Sequence, residues 1–266
     1  SIDEIIHPSV RETLRYMKVD YGLELHHDGD IPARSGMGSS SAFTTCLLKT
    51  LMAMKGRVVS REELFKKVIH IEQNLIKENV GSQDQVFAAV GGFNQIDFLP
   101  NGRIVVSPVV MPAKRLAKFR QNLLLVFSGI SRIASEIAKE QIDNTQKNLV
   151  SLHAMKGFVD EGYKILTSPR ADLDDFGRLL DETWRYKKCL SNQMTNGEID
   201  YIYETAMKNG ALGGKLLGAG GGGFLLFYVP RHEQQRVLKA LGKYLRIPFD
   251  FDFSGAENII YKPSYD

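Results

Sequence analysis

The residues best suited to chemistry lie in a short glycine- and serine-rich stretch at positions 34–45. Two glycines, Gly36 and Gly38, lead into three consecutive serines and then into a helix-forming run over residues 42–54. Glycine lets the backbone approach a ligand closely, and the first turn of a helix offers unpaired N–H groups at the positive end of its dipole. Phosphate is the anion that these parts suit best. A serine-capped helix after an ordinary turn is the alternative interpretation.

This stretch differs from two common motifs. The P-loop pattern requires a lysine directly before the hydroxyl residue, whereas the first lysine after these glycines is Lys49. A hydrolase elbow requires a glycine two residues after the candidate serine, and the sequence has none there. The stretch therefore predicts phosphate binding through backbone groups and hydroxyls.

A second glycine-rich stretch lies at residues 210–223 and ends in four consecutive glycines. Its G-x-G-x-x-G spacing matches the dinucleotide-binding fingerprint, but that fingerprint needs a strand before the glycines and a helix after them. Here a helical pattern over 198–209 precedes, and a strand pattern over 224–229 follows. Four glycines are costly in chain entropy, which favours a close approach of the backbone to a ligand or to another backbone segment. A close-packed loop is the alternative.

Two carboxylates stand at positions that suit phosphoryl transfer. Ser60 and Glu63 fit a capping box that opens a helix, and Glu72 falls on an apolar row of that helix. Asp84 lies in the first turn of a further short helix. Because a core-facing carboxylate needs a partner or a cation, the set of Ser40, Glu72 and Asp84 indicates Mg²⁺-dependent phosphoryl transfer. The alternatives are that Asp84 caps its helix and that Glu72 reaches an arginine or solvent.

These stretches resemble the motifs of the GHMP kinases, a superfamily that includes galactokinase, homoserine kinase, mevalonate kinase and phosphomevalonate kinase. Residues 32–42 resemble the ATP-phosphate loop, residues 218–224 the C-terminal glycine motif, and residues 81–85 the segment with the catalytic aspartate. Within the superfamily, the chain most resembles the bacterial D-glycero-D-manno-heptose phosphate kinases, on the stretches 70–73, 83–85, 91–94 and 127–132.

The resemblance implies a two-lobed α+β fold, with a ribosomal-protein-S5-like N-terminal lobe and a ferredoxin-like α+β C-terminal lobe. We place the ATP-binding lobe at residues 1–128 and the second lobe at residues 129–266. For the first lobe we predict a helix over 8–19 and strands over 23–28, 92–98, 104–109 and 123–127. For the second lobe we predict helices over 134–148, 152–166, 173–189 and 233–245 and a final strand near 249–253.

The same resemblance assigns roles to single residues. Those that would bind the ATP phosphates are Gly36, Met37, Gly38, Ser39, Ser40 and Ser41. Ser40 and Glu72 would hold Mg²⁺, and Asp84 would accept the proton of the sugar hydroxyl. Those that would meet the substrate are Gly220, Gly221, Gly222 and Arg132.

The lysine and arginine residues are scattered. Pairs such as 66–67 and 187–188 lie on predicted helix faces, where solvation is the default interpretation. Candidates to meet a substrate phosphate are nonetheless Lys187, Lys188, Lys215 and Arg132. Arg132 is the best placed, because it follows a predicted strand in a polar turn.

The expected function is that of an ATP-dependent sugar kinase with ATP and Mg²⁺ as cofactors. Its sharpest version is phosphorylation of the anomeric hydroxyl of D-glycero-D-manno-heptose 7-phosphate. Fucose or galactose are alternative substrates, and a non-catalytic nucleotide- or sugar-binding relative is the alternative from another class. The family's N-terminal substrate motif has no counterpart before Pro32, so we expect this chain to be an incomplete and inactive form of an active parent.

Composition agrees with a cytoplasmic enzyme. The 266 residues, 43% of them hydrophobic, suffice for two packed units. The formal net charge of +3 gives no argument for nucleic-acid binding, and no run of eighteen apolar residues predicts a membrane span. We expect ATP and a sugar or sugar phosphate as partners, neither nucleic acid nor membrane, and a homodimer as the candidate assembly.

Overall fold

The computed structural model describes residues 1–31, 35–131 and 134–262. Contacts divide the chain into two discontinuous units. The first comprises Ser1–Ala33, Gly38–Gly92 and Phe251–Asp266, and the second comprises Arg34–Met37 and Phe93–Asp250. These units do not follow the boundary predicted between residues 128 and 129, since residues 93–128 pack with the second unit. As a division into domains, that boundary stays a prediction.

Within its described residues, the first unit is built from four α-helices. They are α1 (Pro8–Tyr16), α2 (Ser39–Met54), α3 (Arg61–His70) and α4 (Gln83–Val90). Pro8 occupies the first position of α1, where its missing N–H has no helical partner to lose. At the start of α3, Ser60 Oγ accepts a hydrogen bond from the Glu63 N–H (3.1 Å), which satisfies a free donor of the first turn. The interior of this unit contains the buried side chains of Leu48, Leu64, Val68 and Val86.

After α3, the chain continues as a π-helical turn over Ile71–Leu75. The Ile76 N–H donates to the Ile71 carbonyl at 2.9 Å, five residues back. Single π-turns within helices occur frequently at functional sites. This turn holds Glu72 in the interior, where only 1% of the residue is exposed. The prediction of Glu72 on a core-facing row is confirmed, whereas the π-turn itself was not predicted.

The strand predicted over residues 23–28 does not form, and that prediction was wrong. These residues pair with no strand of the described ranges. Residues 24–28 are also exposed. Extended backbone becomes a strand only where a neighbour accepts and donates its hydrogen bonds, and no such neighbour lies beside these residues within the described part of the chain.

The second unit begins with a β-hairpin. Its strands are β1 (Asn94–Phe98) and β2 (Ile104–Pro108), and Phe98 lies opposite Ile104 beside the Pro-Asn-Gly turn at residues 100–102. The next elements are α5 (Ala113–Gln121) and β3 (Leu123–Phe127). The three strands predicted in this part of the chain are confirmed to within two residues. They were predictable because each is a short apolar run bounded by turn residues.

The rest of the second unit, within the described residues 134–250, adds five α-helices and three strands. In chain order they are α6 (Ala134–Asp143), α7 (Leu149–Thr167), α8 (Asp174–Lys188), α9 (Gly197–Lys208), β4 (Gly213–Leu216), β5 (Phe224–Tyr228), α10 (Gln234–Ala240) and β6 (Arg246–Ile247). The sheet order is β4-β5-β3-β6, and every pairing is antiparallel. Its core includes the buried Trp184, Met194, Ile202, Leu225 and Phe227.

Strand β4 was not predicted, because two of its four residues are glycines and glycine is depleted in strands. The structure shows why Gly213 is a glycine. A side-chain carbon on Gly213 would lie 1.9 Å from the Gly177 carbonyl oxygen of α8. Glycine therefore lets α8 approach the sheet closely. Lys187, near the C-terminal end of this helix, contacts the start of the loop that follows β4.

Two predictions near the C-terminus were wrong in extent. The helix predicted over 233–245 ends at Ala240. The final strand is Arg246–Ile247, and no strand forms at 249–253. The backbone there has another partner, since the Asp252 carbonyl accepts a hydrogen bond from the Gly92 N–H (2.6 Å) within the first unit.

Helices and antiparallel strands together confirm the predicted α+β class. None of the helices in residues 1–31, 35–131 and 134–262 combines the length and apolar character that a bilayer crossing needs.

Candidate active site

In the first unit, a buried carboxylate is held by two neutral donors. Ser41 Oγ, at the start of α2, donates to Glu72 Oε2 at 2.8 Å. Gln85 Nε2, in the first turn of α4, donates to the same oxygen. The other oxygen, Glu72 Oε1, is buried and has no hydrogen-bond partner among the described residues. Burial raises the pKa of Glu72 above its usual value, although the bonds from Gln85 and Ser41 oppose that shift.

A buried carboxylate oxygen without a hydrogen-bond partner suits a cation, and the one charged group that acts on Glu72 among the described residues, Glu78, is also negative. Within the described ranges, no three His, Cys, Asp or Glu side chains cluster as metal ligands. Mg²⁺ does not require such a cluster, since it is commonly held by one or two carboxylates together with substrate phosphates and water. The residues around Glu72 therefore fit Mg²⁺.

The serine beside Glu72 is not the predicted one. Ser41 is 3% exposed and bonds Glu72, whereas Ser40 is exposed to solvent. Neighbouring helix positions point about 100° apart, so only one of two consecutive serines faces a given partner. The structure pairs Glu72 with Ser41, and the assignment of Ser40 to Mg²⁺ stays a prediction.

Asp84 lies beside the start of α2, within the same unit. A side-chain carbon on Gly38 would lie 3.1 Å from Asp84 Cγ, so the missing side chain makes room for the carboxylate. Gly38 also has φ +70°, a backbone conformation that other residues adopt rarely. Burial raises the pKa of Asp84, and only a long contact from Gln83 Nε2 (3.4 Å) opposes it. A partly desolvated carboxylate of raised pKa is suited to accept a proton.

In the second unit, the two glycine-rich stretches pack backbone against backbone. We call residues 218–223 the glycine loop. A side-chain carbon on Gly218 would lie 2.8 Å from the Gly36 carbonyl oxygen, and one on Gly223 would lie 2.2 Å from the Ser35 carbonyl oxygen. Both contacts are closer than real side chains allow. The close approach of the second glycine stretch to another backbone segment is confirmed, and that segment is the turn before α2. Its approach to a ligand stays a prediction.

Hydrogen bonds fix part of the glycine loop and leave other groups free. Gly221 N–H donates to the Met194 carbonyl (2.9 Å), and Gly223 N–H donates to the Ile130 carbonyl (2.8 Å). Gln141 Nε2 donates to the Ala219 carbonyl (2.6 Å). Four further N–H groups of the loop have no acceptor among the described residues, namely those of Gly218, Ala219, Gly220 and Gly222. Successive free N–H groups in a loop with positive φ form a concave site for an anion.

Lys187 lies under the start of the glycine loop. Its Nζ donates to the Gly218 carbonyl at 2.7 Å and to the Leu216 carbonyl at 3.2 Å. Only 9% of the residue is exposed, so the default interpretation of this lysine as a solvated helix face was wrong. Burial, together with the charge of Lys215, lowers the pKa of Lys187 to about 7.

The remaining predicted site residues differ in their surroundings. Met37 is exposed and Ser39 is half-buried. Arg132 lies outside the described residues. Sequence reasoning missed Ser41 as the partner of Glu72, Gln85 as its second donor, and Gln141 as a support of the glycine loop. Gln85 directly follows Asp84, and that adjacency is the one signal that could have drawn attention to it.

Comparison with known proteins now places the chain in a family. Residues 5–92 match the model of the GHMP kinases N terminal domain, and residues 166–247 match that of the GHMP kinases C terminal domain. The D-glycero-alpha-D-manno-heptose 7-phosphate kinase of Campylobacter jejuni is 31% identical over 241 residues, which are 90% of this chain and 70% of that protein. The chain belongs to the GHMP kinases. The predicted family and its two-lobed α+β fold are thereby confirmed.

Other members of the family are similar over most of the chain. A crystal structure of a D-glycero-D-manno-heptose 1-phosphate kinase from Bacteriodes thetaiotaomicron superposes with a TM-score of 0.72 at 25% identity, over 96% of this chain and 74% of that one. The bifunctional fucokinase/GDP-fucose pyrophosphorylase of Arabidopsis thaliana is 27% identical over 82% of this chain, which spans only 21% of that larger protein. These three relatives are sugar kinases, or contain one, and they support kinase activity for this chain.

Proposed function

We propose that this chain supplies the core of an ATP-dependent sugar kinase that phosphorylates D-glycero-D-manno-heptose 7-phosphate at its anomeric hydroxyl. The product would supply nucleotide-activated heptose for surface polysaccharide. The observation that carries the kinase chemistry is the buried Glu72, whose free oxygen faces no cation of the protein within the described residues. The choice of a heptose phosphate is supported by the 31% identity to the Campylobacter jejuni enzyme.

Three groups of residues divide the work. Gly36, Gly38 and the hydroxyls of Ser39 and Ser40 bind the ATP phosphates, and Ser41, whose hydroxyl proton goes to Glu72, contributes its backbone N–H. Asp84 accepts the proton of the sugar hydroxyl as that oxygen attacks the γ-phosphorus and the bond to the β-phosphate oxygen breaks. Gly220, Gly221, Gly222 and Arg132 meet the substrate.

Glu72 and a serine hydroxyl of the 39–41 stretch would hold Mg²⁺. When bound, Mg²⁺ would neutralise the negative charge that moves between the γ- and β-phosphates in the transition state. Glu72 is prepared for this role because Ser41 and Gln85 fix one of its oxygens and leave the other available.

The direct test is ADP release by the full-length protein, with heptose 7-phosphate compared against fucose, galactose and free heptose. We expect turnover on the heptose phosphate to exceed that on the other sugars by at least about tenfold, because binding of a charged phosphate adds a strong contact. Turnover on fucose or galactose alone would reassign the substrate. No ADP release with any sugar would favour a non-catalytic role.

A matched pair of variants tests the base. Asp84→Asn keeps the shape of the side chain and removes the proton acceptor, so we expect kcat to fall by roughly 100- to 10,000-fold. Asp160→Asn is the control, because Asp160 is exposed on α7. An Asp84→Asn variant with near wild-type kcat would exclude Asp84 as the base.

A further inference from the structure

Lys187 is a buried cation for which the described residues offer no carboxylate. Its two hydrogen-bond acceptors are the backbone carbonyls of Leu216 and Gly218. The charged group that acts on it is Lys215, on the neighbouring strand β4, and that charge is of the same sign. No carboxylate of α7, α9 or β5 has a resolved effect on its pKa. A buried ammonium without a counter-charge is costly unless a ligand provides one.

The two bonds from Lys187 fix the direction of two peptide planes. In a trans peptide, the carbonyl and the following N–H point in opposite directions. The Leu216 carbonyl faces Lys187, and the Leu217 N–H on the far side donates to the Phe224 carbonyl (2.8 Å). The Gly218 carbonyl also faces Lys187, so the Ala219 N–H points away from the lysine.

That second N–H is one of the free donors of the glycine loop. The 218–219 peptide group is also restricted by the packing of Gly218 against Gly36. A side-chain carbon on Gly218 would lie 2.8 Å from the Gly36 carbonyl oxygen. Ser35 lies beside Gly223 and is fully buried, and its hydroxyl has no partner within the described ranges. The glycine loop and the neighbouring Ser35 therefore carry hydrogen-bond donors that have no acceptor within the described residues.

We propose that Lys187 is a positioning residue, whose ammonium orients the 218–219 peptide so that the Ala219 N–H donates to a phosphoryl oxygen of the bound ligand. The ligand class is a polyphosphate, whose negative charge lies across the 218–219 peptide from the ammonium and polarises that peptide together with it. This inference rests on the proposed kinase function for its kinetic readout, but the binding of an inorganic polyphosphate tests it without turnover.

The experiment compares Lys187→Met, which removes the charge and the donors, with Lys156→Met, an exposed lysine on α7. Affinity of the full-length protein for tripolyphosphate is measured by titration calorimetry, and kcat/KM for MgATP by ADP release. We expect Lys187→Met to lose roughly 10- to 100-fold in both quantities, the range of a charge-assisted hydrogen bond. Lys156→Met should match the wild type.

A pH series separates positioning from a merely structural role. In the wild type, kcat/KM for MgATP should fall as pH rises through about 7, because Lys187 loses its proton there. Lys187→Met should lack this decline, and Lys187→Arg, which stays charged, should move it to higher pH. If Lys187→Met does not fold, the pH profiles of the wild type and Lys187→Arg decide. A decline of kcat/KM at the same pH in both proteins would refute the positioning role.

The outcomes of the two proposals differ. If the wild type turns over no sugar but binds tripolyphosphate in a Lys187-dependent manner, the kinase proposal fails and the positioning role stands. If Lys187→Met binds tripolyphosphate and turns over like the wild type, or if the wild type does not bind tripolyphosphate, the positioning role is refuted.

Discussion

Each unit buries a charged side chain that is held by neutral partners, and the two charges are of opposite sign. In the first unit, Glu72 is held by the neutral donors Ser41 and Gln85. In the second, Lys187 is held by the neutral carbonyls of Leu216 and Gly218. Neutral partners orient a charge without cancelling it. In our proposal each unit takes a ligand of the opposite sign, a cation beside Glu72 and a phosphate beside the glycine loop.

The candidate sites of the two units are built from different kinds of chemical group. The first uses side chains on the ends of helices, so single substitutions there change chemistry. The second uses backbone groups of a loop that glycine alone can form, so substitutions there change packing before they change chemistry. Activity measurements should respond most in the first unit, and stability measurements in the second.

Among the substitutions that compare the two buried charges, the largest effect is expected from Glu72→Gln, which keeps the shape of the side chain and removes its charge. Activity should fall by roughly 100- to 1,000-fold, the cost of losing a group that stabilises transition-state charge. Without Mg²⁺, the variant should melt at or above the wild-type temperature, because a buried unpaired carboxylate is destabilising. Thermal unfolding and ADP release measure both. A large loss of stability would show that Glu72 is structural.

Gly223→Ala tests the backbone packing of the second unit. A side-chain carbon there would lie 2.2 Å from the Ser35 carbonyl oxygen, with φ +101°. Gly102→Ala is the control, because its φ of +79° is also positive but its surroundings are open. Urea unfolding should show a loss of about 1 kcal/mol at Gly102 and about 2 kcal/mol or more beyond it at Gly223. Equal losses would mean that the close approach is not required.

The pH dependence of stability tests the burial of Lys187. Its pKa is about 7 in the folded protein and that of an ordinary lysine in the unfolded one. Between pH 7 and about 10, the unfolded chain therefore binds the additional proton, and this group makes the wild type more stable as pH rises. Relative to Lys187→Met, the wild type should gain a few kcal/mol of unfolding free energy over that interval. A pH-independent difference would place the ammonium in solvent.

Gln85→Ala should have the smallest effect, since Ser41 still donates to the same oxygen of Glu72. We expect the Mg²⁺ concentration for half-maximal activity to rise by about tenfold, as for the loss of a residue that orients a metal ligand. The exposed Gln235→Ala is the control. An unchanged Mg²⁺ requirement would mean that Gln85 does not orient the carboxylate.

Local patterns predicted much of the fold. The capping pair at Ser60 and Glu63 and the apolar run of β3 were enough to set element boundaries, because these signals lie within a few residues of each other. The strand at 23–28 failed because strand formation depends on a partner elsewhere. Strand β4 was missed because the need for Gly213 comes from α8, which is distant in sequence.

The same distinction applies to the candidate site. The glycine stretches and the two acids could be selected from residue type and spacing alone. The choice of Ser41 over Ser40, and the burial of Lys187, depend on how helices face their neighbours. A one-residue shift along a helix turns a side chain by about 100°, which is finer than sequence patterns resolve.

The central claim is that each unit binds a ligand of the charge opposite to its buried group. Calorimetric titration of wild type, Glu72→Gln and Lys187→Met with tripolyphosphate, with and without Mg²⁺, tests it most directly. Glu72→Gln should keep the Mg²⁺-independent affinity and lose the gain that Mg²⁺ provides, whereas Lys187→Met should lose the Mg²⁺-independent affinity. Wild-type binding by both variants under both conditions would contradict the account.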